Sequence, residues 1–195
     1  MPRNKRPAAV KRWIPLFAFF VVFGVSAAGY LTIARTEERD SFCASCHSQP
    51  ETTYFERSQA VTATDLASFH RAKSTRCIDC HSGPTVIGRV SAMGLGATDL
   101  FAYLAGTAQQ PAPLKVPITD GNCLKCHADT ARTQDFNRHF HAFLSKWQAI
   151  DKSAATCVDC HSAHTTDGNA TITFLQEQRA TAVCQRCHQA VGAGG

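Results

Sequence analysis

From Trp13 to Ala34 the chain reads W-I-P-L-F-A-F-F-V-V-F-G-V-S-A-A-G-Y-L-T-I-A, with no charged residue. As a helix rising about 1.5 Å per residue, this stretch spans about 33 Å, enough for a hydrocarbon core of about 30 Å. Trp13 and Tyr30 fall near its ends, where amphipathic rings favour the membrane interface. Pro15 is expected in the first helical turn, where its missing N–H costs little. Val25-Ser26-Ala27 has the small-residue character of a signal cleavage site, but apolar sequence continues to Ile33, which favours an uncleaved anchor. Beyond the anchor the pattern predicts short helices over 51–72, 85–105, 131–150 and 172–190. The fold class expected is mainly α with little regular structure, one N-terminal transmembrane helix followed by a compact domain.

The net charge of +5 is confined to the N-terminus, where Arg3, Lys5, Arg6, Lys11 and Arg12 precede the apolar stretch without an acid. The remainder is neutral, so no basic surface for nucleic acid exists. Positive charge before the helix predicts a cytoplasmic N-terminus, and residues 35–195 outside the cytoplasmic membrane.

All 10 cysteines fall in C-x-x-C-H pentapeptides. The first is Cys43, Cys46 and His47, and the second is Cys77, Cys80 and His81. The third is Cys123, Cys126 and His127, the fourth Cys157, Cys160 and His161, and the fifth Cys184, Cys187 and His188. C-x-x-C-H is the attachment signature of c-type haem. Two cysteines one helical turn apart reach the two vinyl groups of one porphyrin, and the following histidine ligates iron. A zinc ribbon pairs its C-x-x-C units and would leave one over. A disulfide framework has no use for the recurring histidine, and a thioredoxin-like motif would occur once. Five covalent haem c groups are therefore expected.

Of the 9 histidines, His70, His139, His141 and His164 lie outside the motifs. Each is assigned as a distal iron ligand. His164 follows His161 too closely to fold back on the same haem, so it serves a neighbour. Met93, in S-A-M-G-L-G, is the sixth-ligand candidate for the remaining iron. The alternatives are a five-coordinate iron or a weak oxygen ligand.

The motifs begin at 43, 77, 123, 157 and 184, so the first pair and the second pair repeat at an offset of 80 residues, with Asp40 matching Asp120. The expected organisation is a cytoplasmic basic head (1–12), a transmembrane anchor (13–34), a two-haem module (35–106), a Pro-rich connector (107–119) and a three-haem module (120–195). So little chain per haem makes the porphyrins themselves the main buried apolar surface.

The basic head, single helix, first C-x-x-C-H soon after the membrane, F-H-R-A-K-S-T-R-C-I-D-C-H and D-L-F-A-Y-L-A-G-T resemble the NapC/NirT family of membrane-anchored multihaem cytochromes. The pair of His139 and His141 and the stretch T-C-V-D-C-H-S-A-H resemble NrfB-type pentahaem proteins. The first resemblance implies a single-pass inner-membrane protein that takes electrons from quinol and passes them to a periplasmic redox protein or reductase complex. Family members carry a Met after the first motif and an acid and a lysine near quinol. Here His47 is followed by S-Q-P-E, and Arg89, Met93 and Asp99 occupy the quinol region. Arg89 and Asp99, with Glu51 as a further base, are the candidate quinol-site residues. Two other readings remain: an electron-wire subunit of a larger membrane complex without its own quinone site, and a small-oxyanion reductase working at an open iron.

Overall fold

The computed structural model describes residues 8–151 and 153–192, with side chains from Trp13 onward, so the basic head lies largely outside the described residues. The chain divides into two units, 1–39 and 40–195. Among the described residues the structure is helical, with one isolated bridge, Asn169 to Leu175, and no strand.

The first unit is helix α1, Ala8–Glu37. In its apolar part, Trp13–Glu37, no residue is buried in protein, as a lipid-facing helix requires. Phe17 and Val25 are each about 70% exposed. Because α1 begins by Ala8, Pro15 sits inside the helix and not in its first turn. The bond it cannot donate would have gone to the carbonyl of Lys11, close to the helix end, where water can supply the missing partner.

The second unit is a chain of short helices: α2 Asp40–Cys46, α3 Glu51–Ser58, α4 Leu66–Arg71, α5 Cys77–His81, α6 Val86–Leu104, α7 Asp120–Leu124, α8 Ala128–Arg132, α9 His139–Ile150, α10 Cys157–Cys160 and α11 Glu177–Ala190. The connector, the three-haem module and residues 40–106 of the first expected module fall within it, while residues 35–39 belong to the first unit. Three of the expected helices are shorter or broken. The 51–72 helix is cut because Asp65 caps a new start, its carboxylate accepting from Ser68 N at 2.7 Å while the Ser68 hydroxyl accepts from Asp65 N at 3.0 Å. The 131–150 helix breaks at Thr133, whose backbone is extended, and resumes through a 3-10 turn at 136–138. The last begins at Glu177, since Thr173 and Phe174 adopt left-handed backbone at φ 56° and 57°. Helix α6 matches its expected span.

Apolar burial is small, as expected for so little chain per motif. The main cluster is Trp147, Ala155, Cys160 and Val183, flanked by Phe140, Leu144 and Leu175. The helices that carry the motifs pack in chain order, α2 on α5, α5 on α7, α7 on α10 and α10 on α11.

Candidate haem sites

Each motif lies on or at the end of one of these short helices. Cys43 and Cys46 are on α2, Cys77 and Cys80 on α5, Cys157 and Cys160 on α10, and Cys184 and Cys187 on α11. A separation of three residues puts both cysteines of such a pair on one helix face. The third motif differs, because α7 ends at Leu124, leaving Cys123 inside the helix and Cys126 beyond it. The turn nevertheless continues, with Cys126 N donating to the Cys123 carbonyl at 3.1 Å, so this pair keeps the same spacing. Exposure also varies. Cys126 is exposed, whereas Cys187 is half-buried against the apolar cluster around Trp147.

No disulfide joins any of the ten cysteines. Among the described residues no group of three or more His, Cys, Asp or Glu is arranged around a common ion position. Burial, and then Asp40, push the Cys77 thiol up to about 12, whereas a hydrogen bond with Cys157 lowers Cys123 to about 7.

The same hydrogen bonds recur at the 80-residue offset. Asp40 Oδ1 accepts from Cys77 N at 3.0 Å, and Asp120 Oδ1 accepts from Cys157 N at 2.7 Å. Asp79 accepts from Arg76 N at 2.8 Å, and Asp159 from Thr156 N at 2.7 Å, each fixing the first turn of its motif. The carbonyl of Cys80 accepts from Asn122 Nδ2 at 2.6 Å, and that of Cys160 from Gln176 N at 3.0 Å. An aspartate three residues before one motif thus holds the next. The second cysteine of that next motif in turn accepts from the segment leading to the following motif.

The histidines outside the motifs come to face motif histidines. Ring centres are 6.0 Å apart for His70 and His127, 6.1 Å for His164 and His81, 6.3 Å for His141 and His161, and 6.5 Å for His139 and His188. Two imidazoles on opposite sides of one metal need a metal–nitrogen bond of about 2.0–2.1 Å each, plus about 1.1 Å from nitrogen to ring centre, or about 6.3 Å in all. The four spacings fit that requirement. The rings are near parallel in the His81 and His161 pairs, at 21° and 11°, and near perpendicular in the His127 and His188 pairs, at 87° and 82°.

Burial disfavours the protonated form of several of these imidazoles. It lowers His164 to about 4, and it is the largest cause of the lowered values of His81 and His141. A neutral ring keeps the lone pair that a metal requires. His70 Nδ1 donates to the Leu66 carbonyl at 2.8 Å, and His161 Nδ1 to the Thr173 carbonyl at 3.1 Å, which leaves the Nε2 lone pair of each ring available to a metal.

His47 has no such ring partner among the described residues. Met93 is buried on α6, and α6 packs against α2, which carries Cys43 and Cys46. Of the quinol-site candidates, Arg89 and Asp99 stand ten residues apart on α6, about 15 Å along its axis, so the helix does not bring them together. Asp99 is instead ion-paired with Lys115. That lysine escaped the sequence reading because it lies in the Pro-rich connector, beyond the helix end. Glu51 interacts with His81, in the second motif, and its Oε2 is buried.

A family model described as the NapC/NirT cytochrome c family, N-terminal region, matches residues 6–168. A second, the doubled CXXCH motif, matches residues 151–193, and neither match bears out the resemblance to NrfB-type proteins. No curated protein and no solved structure matches.

Proposed function

Because the chain belongs to the NapC/NirT cytochrome c family, a membrane-anchored multihaem electron-transfer protein, we propose that it carries five haem c groups. They relay electrons from quinol in the cytoplasmic membrane to a periplasmic redox protein or reductase. Covalent haem supplies an iron that exchanges one electron at a time. The remaining chemistry belongs to the chain's own residues.

The observation that carries this reading is the set of four facing imidazole pairs. On it, the distal ligands are His164 for the second motif, His70 for the third, His141 for the fourth and His139 for the fifth. Met93 is the sixth ligand of the first. Paired imidazoles keep the same ligands in both oxidation states, which suits transfer over catalysis at an open iron and disfavours the oxyanion-reductase reading. Cys43 follows closely on the end of α1 in sequence, which makes the first motif the point where electrons enter.

Quinol oxidation releases protons as well as electrons, so a base near that point is required. Asp99 is that base, and Lys115 beside it holds the carboxylate in place. Arg89, about 15 Å away along α6, acts separately, as a donor to a quinone oxygen.

The test uses the full chain in detergent. Mass spectrometry is expected to return five haem adducts, and three or fewer would overturn the count. Asp99→Asn is expected to slow reduction by a menaquinol analogue while leaving reduction by dithionite unchanged. Absence of quinol reactivity in the parent protein would favour the electron-wire subunit instead.

A further inference from the structure

The four distal histidines are not held alike. His70 is oriented in the usual way, its second nitrogen donating to a main-chain carbonyl. His164 Nδ1 is buried and has no hydrogen-bond partner. A ligand ring left without that bond would be free to turn about the metal–nitrogen axis, so something else must fix its plane.

The candidate is an aromatic face. Tyr54, half-buried on α3, lies 4.1 Å from the His164 ring at an interplanar angle of 7°. Its own position is fixed by Arg57 one turn later on the same helix, whose guanidinium carbon sits 5.1 Å from the Tyr54 ring centre. Arg57 Nη2 donates to the His164 carbonyl at 3.0 Å, and Arg57 Nη1 pairs at 3.3 Å with Asp65, which is 1% exposed. Ala67 N donates to the Ala163 carbonyl at 2.9 Å, tying the same segment to α4. The backbone of residues 163–164 is therefore clamped on both sides, while the ring rests on Tyr54. His81, facing His164 across the site, lies within 21° of the same plane.

We propose that Tyr54 is the positioning residue of the second-motif site, setting the plane of the His164 imidazole by stacking, in place of the hydrogen bond from the second ring nitrogen. The proposal rests on the ligand pairing given above. Two near-parallel axial imidazoles split the iron's dxz and dyz orbitals and give a rhombic low-spin paramagnetic signal. Near-perpendicular imidazoles leave those orbitals close in energy and give a large-gmax signal. The ligand plane is thus directly readable, apart from any loss of stability.

The experiment is electron paramagnetic resonance of the oxidised, fully loaded chain in detergent, with haem content checked by mass. The four paired-imidazole sites of the parent protein are expected to show two rhombic and two large-gmax low-spin species, apart from the signal of the first-motif iron; absence of any rhombic species would overturn the pairing itself. Tyr54→Leu, which fills the space without a flat face, is expected to shift one rhombic species toward larger gmax at unchanged haem content. Tyr54→Phe is expected to retain the parent signal, because the ring and not the hydroxyl does the positioning. If Tyr54→Leu leaves both rhombic species unchanged, or if Tyr54→Phe shifts one as far as Tyr54→Leu does, the proposal fails with the pairing intact.

Discussion

Replacing Asp40 by alanine removes the residue that ties the first motif to the second. Its side chain is 4% exposed, its Oδ1 accepts from the Cys77 amide at 3.0 Å, and its Oδ2 lies 2.8 Å from Arg71 Nε. A hydrogen bond to a charged group contributes about 1.5–3 kcal/mol, and truncation also leaves the amide without an acceptor. Arg71 is 39% exposed, so that ion pair adds no more than about 1 kcal/mol. Asp40→Ala is therefore expected to cost about 3 kcal/mol. For a chain of this size that lowers the melting temperature by about 6–12 °C. Asp40→Asn keeps a neutral oxygen facing the amide and is expected to cost about half as much. Asp120 makes the matching bond to Cys157 at 2.7 Å and a second to Gln148 Nε2 at 2.6 Å. Asp120→Ala should thus fall in the same range if the two aspartates are counterparts. The assay is thermal melting by far-ultraviolet circular dichroism of the loaded protein in detergent, with the apoprotein excluded by haem content. A shift below about 2 °C for Asp40→Ala, or equal shifts for Asp40→Ala and Asp40→Asn, would refute the reasoning.

His164→Ala should produce a high-spin signal and remove a rhombic low-spin species, whereas His139→Ala should produce a high-spin signal and remove a large-gmax one; the reverse pattern would exchange their assignments. Trp147, 7% exposed at the centre of the apolar cluster, should cost about 3–5 kcal/mol when cut to alanine, measured by the urea midpoint; a loss under about 1 kcal/mol would mean that this cluster does not organise the C-terminal part. The Asp151 carboxyl is held below its usual range, chiefly by the Ser153 backbone N–H, which donates to it at 2.8 Å. Its contribution is present above the unfolded value near pH 4 and is lost as pH falls through the lower folded value, so the gap in urea midpoint between parent and Asp151→Asn should close on acidification; a constant gap would argue against it. A Cβ at Gly168 would stand 2.7 Å from the Phe174 carbonyl oxygen, so Gly168→Ala should destabilise by about 1–3 kcal/mol, and a neutral result in the same urea titration would show that this loop yields.

The C-x-x-C-H motifs were legible because haem c attachment forces cysteine, cysteine and histidine into five consecutive positions, whatever fold surrounds them. The apolar helix was legible for a similar reason, since a bilayer demands an unbroken run. Helix limits were not, and the misses are local. The capping box at Asp65 and Ser68 lies inside a window whose polar and apolar pattern still suits one continuous helix. Thr173 and Phe174 gave no warning of left-handed backbone, since neither is glycine or asparagine. The pairing of histidines could not be read at all, because each pair is made by tertiary packing between separate helices or loops. The 80-residue spacing did carry a hint of the scaffold. Asp40 and Asp120 matched in position, but their partners are the backbone amides of Cys77 and Cys157, and an amide leaves no trace in a sequence. Lys115 was missed as the partner of Asp99 because a Pro-rich connector reads as a spacer.

The facing imidazoles also impose an order on assembly. For the third, fourth and fifth motifs the outlying histidine precedes its partner in the chain, so both halves of the pair are present once the motif itself has emerged. The second motif is the exception, since His81 must wait for His164. On the proposed topology, with export from the N-terminus onward, that site would stay open until the fourth motif has crossed. Its closure then brings α3 and α4 together with residues 163–164. A chain cut short before residue 164 would keep the third site's pair and lose the second's. The early half of the protein is thus completed only by delivery of the late half, and on the proposed ligand assignment an unfinished molecule would carry a visible mark, one unfilled iron position, by which it differs from a finished one.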